Sequence, residues 1–114
     1  MTYHLVFGAT SGIGAAIADD RIKRGYSVVA VGRNQSALAA LAARGAQVHR
    51  CDLIKRDQRQ HLWQILEGVR DTTSTVVYAS GIAHRGLAGD MLDTDLEEMF
   101  QVNTLAALEL IRWS

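Results

Sequence analysis

Proline is missing altogether from this 114-residue chain. Ordinary usage is about 5%, and the gap carries no functional reading of its own. Cysteine occurs once, as Cys51. A lone thiol cannot close an internal disulfide, which suits a reducing cytosol. Neither charge sign is in surplus, since 12 Lys and Arg face 12 Asp and Glu. That balance leaves no electrostatic footprint for nucleic acid. No apolar run approaches the length of a membrane span. The N-terminus runs straight into a strand pattern, without the charged start and long apolar stretch of a signal peptide. A cytoplasmic location is therefore expected, with neither membrane nor nucleic acid among the partners. The remainder is ordinary: 48% apolar and 21% charged residues argue against disorder. The length fits one domain, residues 1–114, able to bury roughly two-thirds of its unfolded surface.

Short β-branched runs alternate with helical patterns. His4–Phe7, Ser27–Val31, Ala46–Arg50 and Thr75–Tyr78 read as strands. Their lack of polar alternation suggests strands covered on both faces, as in a parallel sheet. Ile13, Ile17, Ala18 and Ile22 predict one core-facing helical stripe, stopped by Gly25. Leu38 and Leu41 mark a second helix, stopped by Gly45. Leu62, Ile65, Leu66 and Val69 have amphipathic spacing. Thr94 and Glu97 have the spacing of a capping box. It would open a last helix carrying Leu96, Met99, Phe100, Ala107, Leu110 and Ile111. The order is βαβαβαβα: an α/β, Rossmann-like parallel sheet with helices on both faces. No strand follows the last helix, whereas such a sheet normally continues past its fourth strand. The fold is expected to be C-terminally incomplete.

The strongest local signal is Gly8-Ala9-Thr10-Ser11-Gly12-Ile13-Gly14, between a strand and a helix. The chemistry of a pyrophosphate turn accounts for each glycine. Gly8 permits a sharp bend, Gly12 removes a Cβ from the path of the phosphates, and Gly14 lets the helix pack on the strand. The N–H groups and dipole of the helix start then favour an anion. Convenient glycines in a plain strand–helix turn are the competing reading, weakened by the βαβ context on both sides.

The G-x-x-x-G-x-G spacing resembles the first loop of the short-chain dehydrogenase/reductase family, usually T-G-x-x-x-G-x-G, with Phe7 standing where that family has Thr. The resemblance runs from Thr2 to Ser114 and covers the N-terminal half of the family's usual length. It implies cofactor contacts from Gly8, Thr10, Ser11, Gly12, Ile13 and Gly14. Gly32-Arg33 follows the second strand, where an NAD-selective site wants an acid for the ribose 2′-hydroxyl. Arg33 can instead clamp a 2′-phosphate, for roughly 1.5–3 kcal/mol. That predicts NADP(H) ahead of NAD(H); a solvated surface arginine is the bland alternative. Asp52 and Leu53 fall where the family bonds the adenine amino group and lines the adenine pocket, although an Asx turn would explain Asp52 alone. Tyr78-Ala79-Ser80-Gly81 stands in the place of the family's N-N-A-G, so Ala79 and Gly81 are candidate contacts while both asparagines are absent. Asn103 matches a helix asparagine whose backbone carbonyl holds a water in the family's proton relay.

The family's reaction is hydride transfer between a nicotinamide and a carbonyl or alcohol, served by a serine and a Tyr-x-x-x-Lys pair. No such pair occurs here: the residues four beyond Tyr3, Tyr26 and Tyr78 are Phe7, Ala30 and Ile82, and the only lysines are Lys23 and Lys55. The chain is thus expected to supply the cofactor half of an NADP(H)-dependent oxidoreductase acting on a small carbonyl or alcohol, and to be inactive alone. The rival reading is a complete non-catalytic domain that binds or senses a dinucleotide or acts through protein contacts; against a Rossmann domain for another adenosine ligand, such as a methyl donor, stand the G-x-x-x-G-x-G spacing and Arg33. Scattered His4, His49, His61 and His84 predict no metal site. Trp63 and Trp113 read as helix-packing residues, and Cys51 as an inert strand-end residue. The fourth strand, open on its far side where the family has a fifth, and the apolar last helix predict a homodimer or larger assembly.

Overall fold

The computed structural model describes residues 2–84 and 86–114. Its β-branched runs form β1 (Tyr3–Phe7), β2 (Ser27–Gly32), β3 (Gln47–Arg50) and β4 (Thr73–Tyr78), all parallel and ordered β3-β2-β1-β4. Alternate side chains feed two cores. Leu5, Phe7, Val29 and Val31 face Leu62 and Leu66 of α3 (Arg56–Leu66), with Ala106, Leu110 and Trp113 of α5 (Ala106–Trp113). Val6, Val28 and Ala30 face Ala18 of α1 (Gly12–Lys23), with Leu38 and Leu41 of α2 (Gln35–Ala43). The sheet is covered on both faces, as its unbroken apolar strands require.

Helix ends follow from local chemistry. Gly25 and Gly45 have φ of +84° and +95°. Each carries the paired bonds of a Schellman turn: Gly25 N–H to Ile22 and Tyr26 N–H to Arg21, then Gly45 N–H to Ala42 and Ala46 N–H to Leu41. Asn34 caps α2 by accepting from the Ala37 N–H at 2.9 Å. The chain runs outward from β1 through β2 to β3. It then returns by α3 and a 3-10 turn (Glu67–Thr72) to lay β4 on the other side of β1. That reversal between β1 and β4 opens a crevice at the C-terminal ends of the strands.

Several elements differ from the sequence expectation. Ile13 is 75% exposed, because the first turn of α1 carries it clear of the sheet; buried Gly14 and Ala18, with half-buried Ile17 and Ile22, form the packed stripe. Ile65 is exposed while Leu62, Leu66 and Val69 are buried. Thr94 and Glu97 do not form the capping box. α4 (Asp93–Phe100) starts two residues early, with Leu92 extended at the N-cap and its N–H donating to the Asp95 carboxylate at 3.3 Å. Between α4 and α5 the helix widens to a π segment, Gln101–Leu105, where the Ala106 N–H reaches back five residues to Gln101. Leu110 is core rather than unpartnered. Leu96, Phe100, Leu108 and Ile111 are exposed by half or more.

Candidate functional site

A cleft of about 300 Å³ lies along the C-terminal ends of all four strands. Its lining draws on Gly8, Thr10 and Ser11 after β1, Gly32 and Arg33 at the end of β2, Asp52, Leu53 and Ile54 after β3, and Ala79, Ser80, Gly81 and Ile82 after β4. Eight of the expected contacts therefore converge: Gly8, Thr10, Ser11, Arg33, Asp52, Leu53, Ala79 and Gly81. Gly12, Ile13 and Gly14 continue from Ser11 as the first turn of α1 and are not part of the lining. Asn34, Cys51, Ile54, Ser80, Ile82 and Val102 also line it, and the sequence did not single them out as contacts.

The glycines do separate jobs. Gly8 has φ of +77°, and a Cβ there would stand 2.7 Å from the Ala79 carbonyl oxygen. A Cβ on Gly14 would stand 2.0 Å from the Gly8 carbonyl oxygen, so this glycine seats α1 on the β1 turn. A Cβ on Gly32 would collide with the Thr10 side chain at 2.5 Å, so the end of β2 is bare in order to seat that threonine. Gly12 has φ of +54° and nothing within 4 Å of its added Cβ, so its bare face opens to solvent. The first intrahelical bond of α1 runs from the Ala15 N–H to the Ser11 carbonyl. The N–H groups of Gly12, Ile13 and Gly14 thus have no helical acceptor, and the first turn holds no acidic side chain. Such a helix start accommodates an anion.

The β2 and β3 side of the cleft is polar. Arg33 is exposed at its lip, and the Arg50 Nε donates to the Arg33 carbonyl at 3.2 Å. Asp52 does form the Asx turn: its Oδ1 accepts from the Ile54 N–H at 3.1 Å, and its own N–H donates to Gln58 Oε1 at 2.8 Å. Those bonds fix the carboxylate on the cleft wall. Cys51 is buried, and burial, followed by the neighbouring Asp52 charge, pushes its thiol up to about 11. It remains an unreactive thiol near neutrality.

After β4 the wall is braced by the last helix. The Tyr78 hydroxyl donates to the Val102 carbonyl. Asn103, in the π segment, holds Ile82 both ways: its Oδ1 accepts from the Ile82 N–H at 2.9 Å and its Nδ2 donates to the Ile82 carbonyl at 2.8 Å. Burial pushes the Tyr78 phenol up to about 12. A phenol so raised, with its proton committed to a carbonyl, is no general acid or base near pH 7. Lys23 pairs with Asp19 at 2.9 Å, and Lys55 is the N-cap residue of α3.

Sequence reasoning overlooked Arg59, which is fully buried. Its Nη1 donates to the carbonyls of Leu53 at 2.7 Å and Ile54 at 3.3 Å, and its Nε meets Glu109 Oε1 at 2.8 Å. Trp63 is more than packing, since its indole N–H donates to the same oxygen at 3.1 Å. Burial raises the Glu109 carboxyl, but hydrogen bonds from Arg59 and Trp63 and the charges of Arg59 and Arg112 outweigh it, leaving its pKa lowered. A signal was available: Arg59 falls on the same stripe of α3 as Leu62 and Leu66.

Metal ligation was not expected from the spacing of the histidines, yet the fold gathers His84, Asp95 and Glu98 so that one ligand atom from each lies within 4.8 Å of the others. The closest contacts use opposite ring nitrogens, Nε2 to Glu98 at 3.2 Å and Nδ1 to Asp95 at 3.7 Å. The imidazole therefore bridges two carboxylates, which cross-links the loop after β4 to α4.

Comparison with known proteins gives a consistent picture. The family model for short chain dehydrogenases matches residues 3–113. A 3beta-hydroxysteroid dehydrogenase of Mediterraneibacter gnavus is 34% identical over 104 residues, covering 86% of this chain and 37% of that protein. A short-chain dehydrogenase from Sphingobium yanoikuyae, solved in complex with NADPH, superposes with a TM-score of 0.86 at 28% identity, over 99% of this chain and 47% of its own. A bulky-bulky ketone specific alcohol dehydrogenase from Comamonas testosteroni shares the fold, with a TM-score of 0.90 at 22% identity over 99% of this chain and 48% of its own. The chain spans less than half the length of each of these proteins.

Proposed function

Because the chain belongs to the short-chain dehydrogenase family, we propose that it holds NADP(H) in this cleft and supplies the cofactor half of an oxidoreductase acting on a small carbonyl or alcohol. The observation that carries this reading is the convergence of the glycine turn and Arg33 at the C-terminal ends of one parallel sheet. The residues present fit the group. Gly12 leaves open space before the unacceptored N–H groups at the start of α1, which suits a pyrophosphate. Arg33 at the lip has no acidic neighbour on the bare Gly32, which suits a 2′-phosphate. Asp52 and Leu53 would receive the adenine, and Ala79 and Gly81 would flank the nicotinamide ribose with backbone only. Asn103 would add support for a proton relay through its backbone carbonyl. The bound nicotinamide would supply hydride chemistry; this chain's residues would bind it, orient it and shield one wall. NADPH is what the Sphingobium yanoikuyae structure contains, and it is the cofactor this reading assigns here.

A second reading is favoured by Tyr78, at the end of β4, whose hydroxyl is committed to the carbonyl of the cleft-lining Val102. On that reading the chain binds or senses the dinucleotide and acts through protein contacts. Both readings include association into a homodimer or larger assembly through β4 and the last helix. Calorimetric titration with NADPH and NADH tests the cofactor assignment. NADPH is expected to bind about 10- to 100-fold tighter, the range of one charge-assisted contact, and Arg33→Ala is expected to erase that preference while sparing NADH. Equal affinities in the parent chain would overturn it. Turnover is tested by cofactor oxidation across a panel of carbonyl compounds. The chain alone is expected to stay at background, and turnover by mass-verified 114-residue protein would mean that another residue does the proton chemistry.

A further inference from the structure

Resting on the cofactor reading above, we propose that Arg59, which touches no ligand, is the positioning residue for the adenine side of the cleft, and that Glu109 on α5 is its anchor. Leu53 and Ile54 line the cleft directly after β3. Their two carbonyls point away from solvent onto one guanidinium that is 0% exposed. The same guanidinium grips Glu109, with Nε to Oε1 at 2.8 Å and Nη2 to Oε2 at 3.5 Å. Trp63 donates to Oε1 from the next turn of α3, so the carboxylate is held from two directions. One residue earlier on α3, Gln58 accepts the Asp52 N–H. Asp52, Leu53 and Ile54 are therefore all fastened to α3, and α3 is fastened to α5.

Stability alone is a poor reason for this arrangement. A buried ion pair costs desolvation, and well-packed apolar residues of similar volume often replace one without loss. No apolar residue, however, can receive two backbone carbonyls and a carboxylate at once. A planar guanidinium with five donors can, and a lysine ammonium cannot reproduce that fork. What the pair supplies is a fixed place for the Leu53–Ile54 wall. Glu109 lies six residues beyond Asn103, which clasps Ile82 on the opposite wall. One helix thus braces both sides of the cleft, the β3 side through Arg59 and the β4 side through Asn103.

The test is the double variant Arg59→Met/Glu109→Leu in the full 114-residue chain, with Arg59→Lys as the conservative partner. Calorimetry with NADPH and with adenosine 2′,5′-bisphosphate is expected to show a loss of about tenfold in affinity for both in the double variant, the worth of roughly one net hydrogen bond. Inorganic pyrophosphate, which needs only the glycine turn, is expected to bind as in the parent. Hydrogen exchange at the Ile54 and Lys55 amides is expected to accelerate while the amides of β1 do not change. Arg59→Lys is expected to fall between parent and double variant. If the double variant fails to fold, Arg59→Lys and Glu109→Gln carry the same readouts. Unchanged nucleotide affinity and exchange in a folded variant would overturn the proposal, and so would an equal loss for pyrophosphate, which marks a general structural role. A parent chain that binds no adenine nucleotide overturns the cofactor reading itself and this inference with it.

Discussion

Gly14 and Gly12 stand two residues apart in one turn, yet a methyl group added to each meets different surroundings. At Gly14 it meets the Gly8 carbonyl oxygen at 2.0 Å, and at Gly12 it meets nothing within 4 Å. Gly14→Ala is therefore expected to destabilise the chain by about 3 kcal/mol or more, as forced overpacking does. Gly12→Ala pays only for a left-handed backbone, about 1–2 kcal/mol, but places a methyl where phosphate would approach. Thermal melts should rank Gly14→Ala as the less stable, while titration should show that folded Gly12→Ala loses NADPH affinity. The reverse ranking would mean that the two roles are misassigned. Glu109 offers a test by pH. Its folded pKa lies below the ordinary 4.5, so the Arg59 pair contributes fully above that value and is lost as pH falls through the lowered one. Denaturant melts of parent and Glu109→Gln should differ most near neutrality and converge on acidification. A gap independent of pH would show that the carboxylate charge is not what holds Arg59. At this scale the cleft's glycines were legible because backbone geometry forces them. Arg59 and Glu109 were not, since they lie 50 residues apart and meet only through the tertiary fold.

The first two helices were legible at their C-terminal ends, where Gly25 and Gly45 act locally, while the Asn34 cap of α2 was passed over. Asn34→Ala is expected to cost about 1 kcal/mol, the usual worth of an N-cap. A melt of that variant should shift by a few degrees, and an unchanged midpoint would show that α2 is held by Leu38 and Leu41 alone. The last helix was misread for two physical reasons. Asp93, Thr94 and Asp95 are all competent near an N-terminus, so spacing could not choose among them, and the Asp95 bond to Leu92 decides it. The π segment has no propensity signature. It arises where Asn103 turns its side chain onto Ile82 and Val102 offers its carbonyl to Tyr78. A poor helix former in mid-helix was the visible trace of that arrangement.

The molecule measures 49 × 25 × 19 Å, with a radius of gyration of 14.6 Å, against about 13 Å for a compact chain of this length. β4 pairs only with β1 among the described residues, and Val76 upon it is exposed. Leu96, Phe100, Leu108 and Ile111 add exposed apolar surface along one long helix. Covering those four is worth on the order of 3–6 kcal/mol, comparable with the lower range of domain stability, about 5–15 kcal/mol. Light scattering across a dilution series is expected to show a dimer or larger species at micromolar concentration, and a stable monomer would contradict it. The parallel sheet was legible from the order of elements, and the open outer edge of β4 from the lack of a fifth strand. What covers β4 was not, because that is decided by surfaces beyond any single residue pattern. The central claim is that a dinucleotide sits across the ends of all four strands. Titrating the ¹⁵N-labelled chain with NADPH tests it most directly. Amide shifts are expected to cluster at Gly8–Gly14, Gly32–Asn34, Asp52–Ile54 and Ala79–Ile82, saturating together. No saturable shift, or shifts confined to residues outside these four segments, would contradict it.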